Sequence, residues 1–175
     1  MITKLKRSPG LYVVGFMAAG KTTIGKLVAE QLGWRFADLD DDIETAAGRT
    51  ISAIFETDGE AEFRRIEAEA LRARVRAIER GSPTVLALGG GAYTQPGNFE
   101  LVRENGITVW LDCPLEMVKR RVAEAAHRPL ARDPARFERL YFERHVAYSR
   151  ADFRIPIAGD DPAAAVAAVL ELPIF

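Results

Sequence analysis

The chain has 175 residues, of which 48% are hydrophobic and 28% are charged, a size and composition that suit one domain with a well-buried core. The 24 basic and 25 acidic residues nearly cancel, which argues against the broad positive face of a nucleic-acid binder. A single cysteine, Cys113, cannot form an internal disulfide and fits a reducing compartment. The first apolar run is too short for a signal peptide or a membrane span, so we expect a cytoplasmic protein.

Strands and helices alternate along the sequence. Short apolar runs rich in β-branched residues predict strands at residues 11–14, 34–37, 85–88, 108–111 and 153–157. Apolar residues at steps of three and four, with glycine and proline boundaries, predict seven helices. Two have both ends, at about 21–33 and 59–80. Of the others, two end near residues 48 and 148, and three begin near residues 50, 114 and 162. This alternation predicts parallel βαβ units and a three-layer α/β domain, with sites at the carboxyl ends of the strands.

Residues 15–22, GFMAAGKT, match the phosphate-binding pattern G-x-x-x-x-G-K-[ST] between an apolar strand and a helix. Backbone N–H groups and the helix N-terminus would face the phosphates, Lys21 would reach the terminal phosphoryl oxygens, and the Thr22 hydroxyl would coordinate magnesium. The predicted nucleotide-binding residues of the loop are Gly15, Ala18, Ala19, Gly20, Lys21, Thr22 and Thr23. The pattern predicts ATP and Mg²⁺ as ligands; the alternative is a glycine-rich turn that only joins a strand to a helix.

Aspartates near two strand ends are candidates for the magnesium site. Asp38 and Asp40 lie two apart in a segment predicted to be extended, so both side chains would project to one side. One carboxylate could support the magnesium water shell while the other binds substrate hydroxyls, as in a kinase with an alcohol acceptor; an acidic solvated turn is the alternative. Asp112 also ends a strand, but a strand-end or helix-capping role explains it better than a metal role.

Several separated motifs together resemble the shikimate kinase family. They are the phosphate loop continued by Thr22-Thr23, and residues 36–44, 48–55, 59–67, 88–91, 128–130 and 144–148. The resemblance runs from about Leu11 to Tyr148 and implies a three-layer P-loop kinase fold, with a central parallel five-stranded sheet, helices on both faces and a mobile lid. It also implies one kinase domain over residues 1–175, with a substrate-binding helical region at about 40–67 and a lid at about 122–136.

The resemblance implies ATP-dependent phosphorylation of the 3-hydroxyl of shikimate, which carries one carboxylate and three hydroxyls. Arg64 and Arg144 would bind the carboxylate, because planar guanidinium groups can pair with it bidentately, and Asp40 would align the hydroxyl. The other implied acceptor-binding residues are Phe55, Phe63, Glu67, Gly89, Gly90 and Gly91. Arg64 and Glu67, three apart, could instead form an ordinary surface pair, and core packing alone explains Phe63 equally well.

The polar, arginine-rich stretch from Arg128 to about Asp133 resembles the family's lid. Arg128 would move over the transferring phosphoryl group and offset its charge, and Arg121 would lie near the adenine or its phosphates. Ala18 stands where the family more often has glycine, and residues 158–162 lack the basic residue that often touches adenine. The rival hypotheses are a gluconate-type small-molecule kinase and a non-catalytic, kinase-derived sensor. Shikimate is the expected partner of a monomer that binds neither nucleic acid nor membrane.

Overall fold

The computed structural model describes residues 9–125 and 133–175. The strands are β1 Gly10–Val14, β2 Arg35–Asp38, β3 Thr84–Ala87, β4 Ile107–Asp112 and β5 Phe153–Pro156. The helices are α1 Lys21–Leu32, α2 Leu39–Ala47, α3 Ile51–Glu79, α4 Pro96–Asn105, α5 Leu115–Glu124, α6 Pro134–Tyr148 and α7 Pro162–Leu170, with a 3₁₀ turn at Ala92–Thr94.

The sheet has the order β2-β3-β1-β4-β5, and every neighbouring pair is parallel. Helix α1 packs against α7, whereas α3 packs against α4. Because crossovers between parallel strands are right-handed, these pairs cover opposite faces of the sheet. All residues of β1 and β3 are buried, as expected for strands covered on both faces. The predicted α/β fold with a five-stranded parallel sheet is therefore confirmed.

The order of the strands brings three loops to one edge of the sheet. The phosphate loop follows β1, three glycines follow β3, and Asp38 ends β2. Since β3 lies between β1 and β2, these three segments are neighbours in space although about seventy residues separate the first from the last. No helix within the described residues combines the length and apolar character needed to cross a membrane.

Two helix boundaries set the shape of the region around residues 40–67. Asp38 caps α2 by accepting a hydrogen bond from the Asp40 backbone N–H, so the prediction that Asp40 lies in an extended segment was wrong. Helix α3 begins after Thr50, whose side chain accepts from the Ala53 N–H, and it is interrupted at Gly59, where φ is 82° and ψ is 176°. The predicted helix start at Gly59 corresponds to this interruption.

Helix α4 was not predicted. It carries proline at its first position and buries Phe99 and Val102. The Phe99 ring packs edge-to-face against Tyr93, with ring centroids 5.2 Å apart. The local sequence of this segment favours a turn. The packing of Phe99 stabilises the helix nevertheless, because tertiary contacts can override weak local propensity.

Candidate active site

The phosphate loop has the geometry that its sequence pattern requires. Gly15 has a φ of 154°, and a Cβ there would come within 2.8 Å of the Leu111 carbonyl oxygen. Helix α1 begins after Gly20 without a side-chain cap, so its first N–H groups can face an anion. The Lys21 ammonium donates to the carbonyl oxygens of Gly15 and Phe16, both at 2.9 Å, and so lies across the loop.

Among the described residues, Ala18 is the one non-glycine residue with a positive φ, which is 61°. A left-handed alanine costs roughly 1–2 kcal/mol relative to the right-handed form. The Arg121 guanidinium donates to the Ala18 carbonyl oxygen at 2.8 Å and to the Gly159 carbonyl oxygen at 3.3 Å. It also pairs with the Asp160 carboxylate at 3.2 Å. Arg121 therefore joins the phosphate loop to the loop after β5.

The predicted magnesium residues lie beside the phosphate loop. The Thr22 hydroxyl donates to Asp38 Oδ2 at 2.8 Å, and the Asp40 backbone N–H donates to Asp38 Oδ1 at 2.9 Å. Burial raises the pKa of Asp40 above its ordinary value, the Asp38 carboxylate raises it further, and Lys21 opposes the shift. A hydroxyl and one or two carboxylates near phosphate groups are the protein ligands that Mg²⁺ commonly uses, so these residues fit the ion.

A cavity of about 610 Å³ contains this group of residues. Its lining comprises Met17, Ala18, Ala19, Gly20, Lys21, Thr22, Thr23, Ile24, Asp38, Asp40, Leu88, Gly89, Gly90, Arg121, Glu124, Ile157, Gly159, Asp160, Asp161, Pro162 and Ala165. The phosphate loop, the aspartates and the first two glycines after β3 thus face one space, which continues along Arg121 to the loop after β5. This volume suits a nucleotide-sized ligand.

Each of the three glycines after β3 lies against a different acceptor-binding candidate. A Cβ at Gly89 would lie 2.9 Å from Asp40 Oδ1, and one at Gly90 would lie 3.0 Å from Arg144 Nη1. A Cβ at Gly91 would overlap the Arg64 guanidinium. The absence of side chains from this loop therefore lets two cations and one carboxylate approach the same stretch of backbone.

Arg64 is partly buried and pairs with the buried Glu67, so the alternative of an ordinary surface pair was wrong. Arg64 Nη1 lies 2.7 Å from Glu67 Oε1, and the Glu67 side chain is 1% exposed. Burial raises the pKa of Glu67, and Arg64 opposes that shift. Phe63 is buried and Phe55 is 39% exposed, with their ring centroids 4.5 Å apart. Phe63 therefore belongs to the core, and its ring contacts both the more exposed Phe55 ring and the Arg64 guanidinium, whose Cζ lies 5.1 Å from the Phe63 centroid.

The comparisons with known proteins agree with this geometry. The family model for shikimate kinase matches residues 17–172. A shikimate kinase from Synechococcus elongatus is 40% identical over 93% of this chain and 85% of its own length, and one from Persephonella marina is 41% identical over 87% and 91%. The chain belongs to the shikimate kinase family. As a member of this family, it is a kinase that uses ATP to phosphorylate shikimate.

Solved shikimate kinases also share the fold. A shikimate kinase from Acinetobacter baumannii, determined in complex with shikimate, has a TM-score of 0.85 and 35% identity, and the match covers 95% of this chain and 93% of that one. A sugar kinase from Janibacter reaches a TM-score of 0.63 at 20% identity over 93% and 92%, which shows a common fold alone. The shikimate kinase hypothesis is thereby favoured over a gluconate-type kinase.

Several long-range contacts of this chain were not predicted from the sequence. The Tyr148 hydroxyl donates to the Gly90 carbonyl oxygen, and Asp160 holds Arg121. Asp112 is 8% exposed and accepts from Arg154 Nε at 2.7 Å, which supports its predicted role as a strand-end residue. These contacts join residues 39 to 58 positions apart, and no local spacing rule detects such pairs.

Two predicted features fall wholly or partly beyond the described ranges. Arg128 lies outside the described residues, and so does the middle of the predicted lid at 122–136. On either side of it, α5 ends at Glu124 and α6 begins at Pro134. Cys113 is free and buried. Within the described ranges, no group of three or more His, Cys, Asp or Glu side chains could hold a metal ion.

Proposed function

We propose that the chain transfers the γ-phosphoryl group of ATP to the 3-hydroxyl of shikimate, with the acceptor seated against the three glycines after β3. The observation that carries this proposal is the convergence of Asp40, Arg64 and Arg144 on that loop. Two guanidinium groups suit one carboxylate, and a carboxylate suits the hydroxyls of the same small molecule. A linear sugar acid lacks the rigid ring that holds an acid and an alcohol at a fixed separation.

In the proposed reaction the protein positions the reactants and neutralises charge. Lys21 and the N-terminus of α1 would hold the β- and γ-phosphates, while Thr23 would contact the α-phosphate. Asp40 would accept a hydrogen bond from the 3-hydroxyl and receive its proton as the new bond from this oxygen to the γ-phosphorus forms and the bond from the γ-phosphorus to the bridging oxygen breaks, which releases ADP. Its raised pKa favours proton uptake, while Lys21 opposes the rise in pKa and so favours the ionised form that can accept the proton. Arg128 stays a predicted charge-neutralising residue of the lid.

The metal ligands and the environment of the protein are also proposals. Thr22 and Asp38 would hold Mg²⁺, which when bound would offset negative charge on the β- and γ-phosphoryl oxygens. Arg121 would lie against the adenine end of the nucleotide, because it lines the same cavity as the phosphate loop. A cytoplasmic location, a monomeric state and the absence of nucleic-acid partners remain predictions from the sequence.

A coupled assay of ADP release tests the proposal directly. Purified protein with ATP and Mg²⁺ should release ADP when shikimate is added, and much more slowly with gluconate or simple diols. The variant Arg144→Ala is compared with the wild-type protein in the same assay. It removes charge-assisted hydrogen bonds worth roughly 1.5–3 kcal/mol, so the KM for shikimate should rise about 10- to 150-fold while the KM for ATP changes little.

Two outcomes would contradict the proposal. The first is folded, ATP-binding protein that shows no shikimate-dependent ADP release. The second is an Arg144→Ala variant in which both KM values rise by the same factor. In that case Arg144 would support the whole domain rather than the acceptor.

A further inference from the structure

Tyr148 is the last residue of α6 and lies where the glycine loop meets Arg144. Its side chain is 2% exposed, and its hydroxyl donates to the Gly90 carbonyl oxygen. The Arg144 guanidinium lies beside the same hydroxyl, and its charge opposes the rise in the pKa of Tyr148 that burial causes. Arg144 Nη1 and the Tyr148 hydroxyl both lie near the Cβ position of Gly90, at 3.0 and 3.7 Å. One buried hydroxyl therefore binds the glycine loop and lies beside Arg144.

The chemistry of the groups determines which of them can donate. A phenol has one proton, which Tyr148 gives to the carbonyl oxygen, and its lone pairs then face the guanidinium, which can only donate. Burial raises the pKa of Tyr148, so the proton stays on the phenol at physiological pH. Arg144 stands one helical turn before Tyr148, at the i,i+4 spacing that brings side chains together.

We propose that Tyr148 is a positioning residue of the acceptor site: its hydroxyl holds the Gly90 carbonyl and the Arg144 guanidinium in one fixed geometry. This inference rests on the proposed role of Arg144 in binding the carboxylate of shikimate. An arginine side chain has large rotamer freedom, and Tyr148 restricts that freedom before the acceptor arrives. Tyr148 thus contributes to acceptor affinity without touching the reacting atoms.

Helix α6 offers a matched control for this inference. The Tyr141 hydroxyl also donates to a backbone carbonyl, that of Cys113, at 2.7 Å, and Tyr141 is buried as well. Tyr148→Phe and Tyr141→Phe each remove one phenol hydroxyl and keep the ring, so they have similar costs for folding. Only the first hydroxyl lies beside Arg144. A role in stability alone would affect both variants alike.

The test measures steady-state kinetics and, by calorimetry, the Kd for shikimate. Tyr148→Phe should raise the KM and Kd for shikimate about tenfold, as expected for one lost hydrogen bond to a charged group. The KM for ATP and kcat should stay within about threefold, since neither the phosphate loop nor Asp40 loses a partner. Tyr141→Phe should leave the Kd for shikimate within about twofold.

A double-mutant cycle with Arg144→Ala separates the inference from the proposed function. In the Arg144→Ala background, Tyr148→Phe should change the Kd for shikimate less than about twofold. The inference is overturned if Tyr148→Phe weakens binding by the same factor in both backgrounds, or if Tyr141→Phe weakens it equally. If Arg144→Ala itself leaves the Kd unchanged, the proposed role of Arg144 fails, and the inference fails with it.

Discussion

Gly91→Ala tests whether the bare glycine loop is what lets Arg64 reach the acceptor. The backbone of Gly91, with φ −96° and ψ −12°, suits alanine, so the substitution adds only a methyl group. That methyl would overlap Arg64 Nη2 and lie 2.9 Å from Nη1 and 3.0 Å from Cζ. Because Arg64 is held by Glu67 at 2.7 Å, the guanidinium must leave its position to make room.

The expected loss is that of one charge-assisted hydrogen bond to the acceptor carboxylate, roughly 1.5–3 kcal/mol. The KM for shikimate should therefore rise about 10- to 150-fold, while the KM for ATP stays within about twofold. Coupled ADP-release kinetics measure both values, and thermal unfolding shows whether the variant is folded. Gly97→Ala is the matched control, since nothing lies within 4 Å of its Cβ position. It lies in helix α4, so its kinetics should be unchanged and its stability should rise by up to about 1 kcal/mol.

A folded Gly91→Ala protein with a wild-type KM for shikimate would refute this reasoning, because it would mean that Arg64 can move at no cost to acceptor binding. Equal increases in the KM values for shikimate and ATP would also refute it. That result would indicate a general disturbance of the sheet edge rather than a displaced guanidinium.

Three further predictions concern the phosphate loop and its neighbours. Ala18→Gly relieves roughly 1–2 kcal/mol of left-handed strain against about 0.4–1 kcal/mol of added unfolded-state entropy, so the melting temperature should rise by up to about 6 °C; a melting temperature below that of the wild type would contradict it. Asp40→Asn should lower kcat about 10²- to 10⁴-fold. Because the pKa of Asp40 is raised in the folded state, the native protein binds this proton more tightly than the unfolded chain does. The free energy of unfolding therefore falls as the pH rises from 3.8, the ordinary pKa, through the higher pKa of the folded state. The variant should therefore be more stable than wild type at pH 7 in denaturant titrations but not below pH 3.8; a pH-independent difference would contradict this. Asp160→Asn removes an exposed partner of Arg121, so the KM for ATP should rise by less than about fivefold; a larger change in the KM for shikimate would contradict it.

The sequence predicts well those features that depend on neighbours along the chain. Gly20 and Lys21 follow a buried strand and open a helix, so spacing alone indicates a phosphate loop. Gly33 ends α1 in a left-handed conformation, as the glycine boundary predicts. In each case the signal lies within a few residues and reflects the backbone geometry of a turn or a helix end.

Features that depend on distant residues were missed or misjudged. The segment Pro96–Asn105 begins with proline, glycine and asparagine, and its helix depends on packing of Phe99 against Tyr93. The run of aspartates does not reveal that Asp38 is a helix cap, which places Asp40 in the first turn of α2. The spacing of Arg64 and Glu67 is that of a surface pair, and only the tertiary structure buries it.

The order of the strands has a consequence for how such a site can change. Because β3 runs between β1 and β2, the segment that carries the donor and the one that receives the acceptor leave the sheet from adjacent strands, roughly 4.8 Å apart. Backbone hydrogen bonds across the sheet set this separation, and loop substitutions leave it intact. Substitutions in these loops can change which alcohol binds, while the spacing between the donor and acceptor strands stays fixed by the sheet.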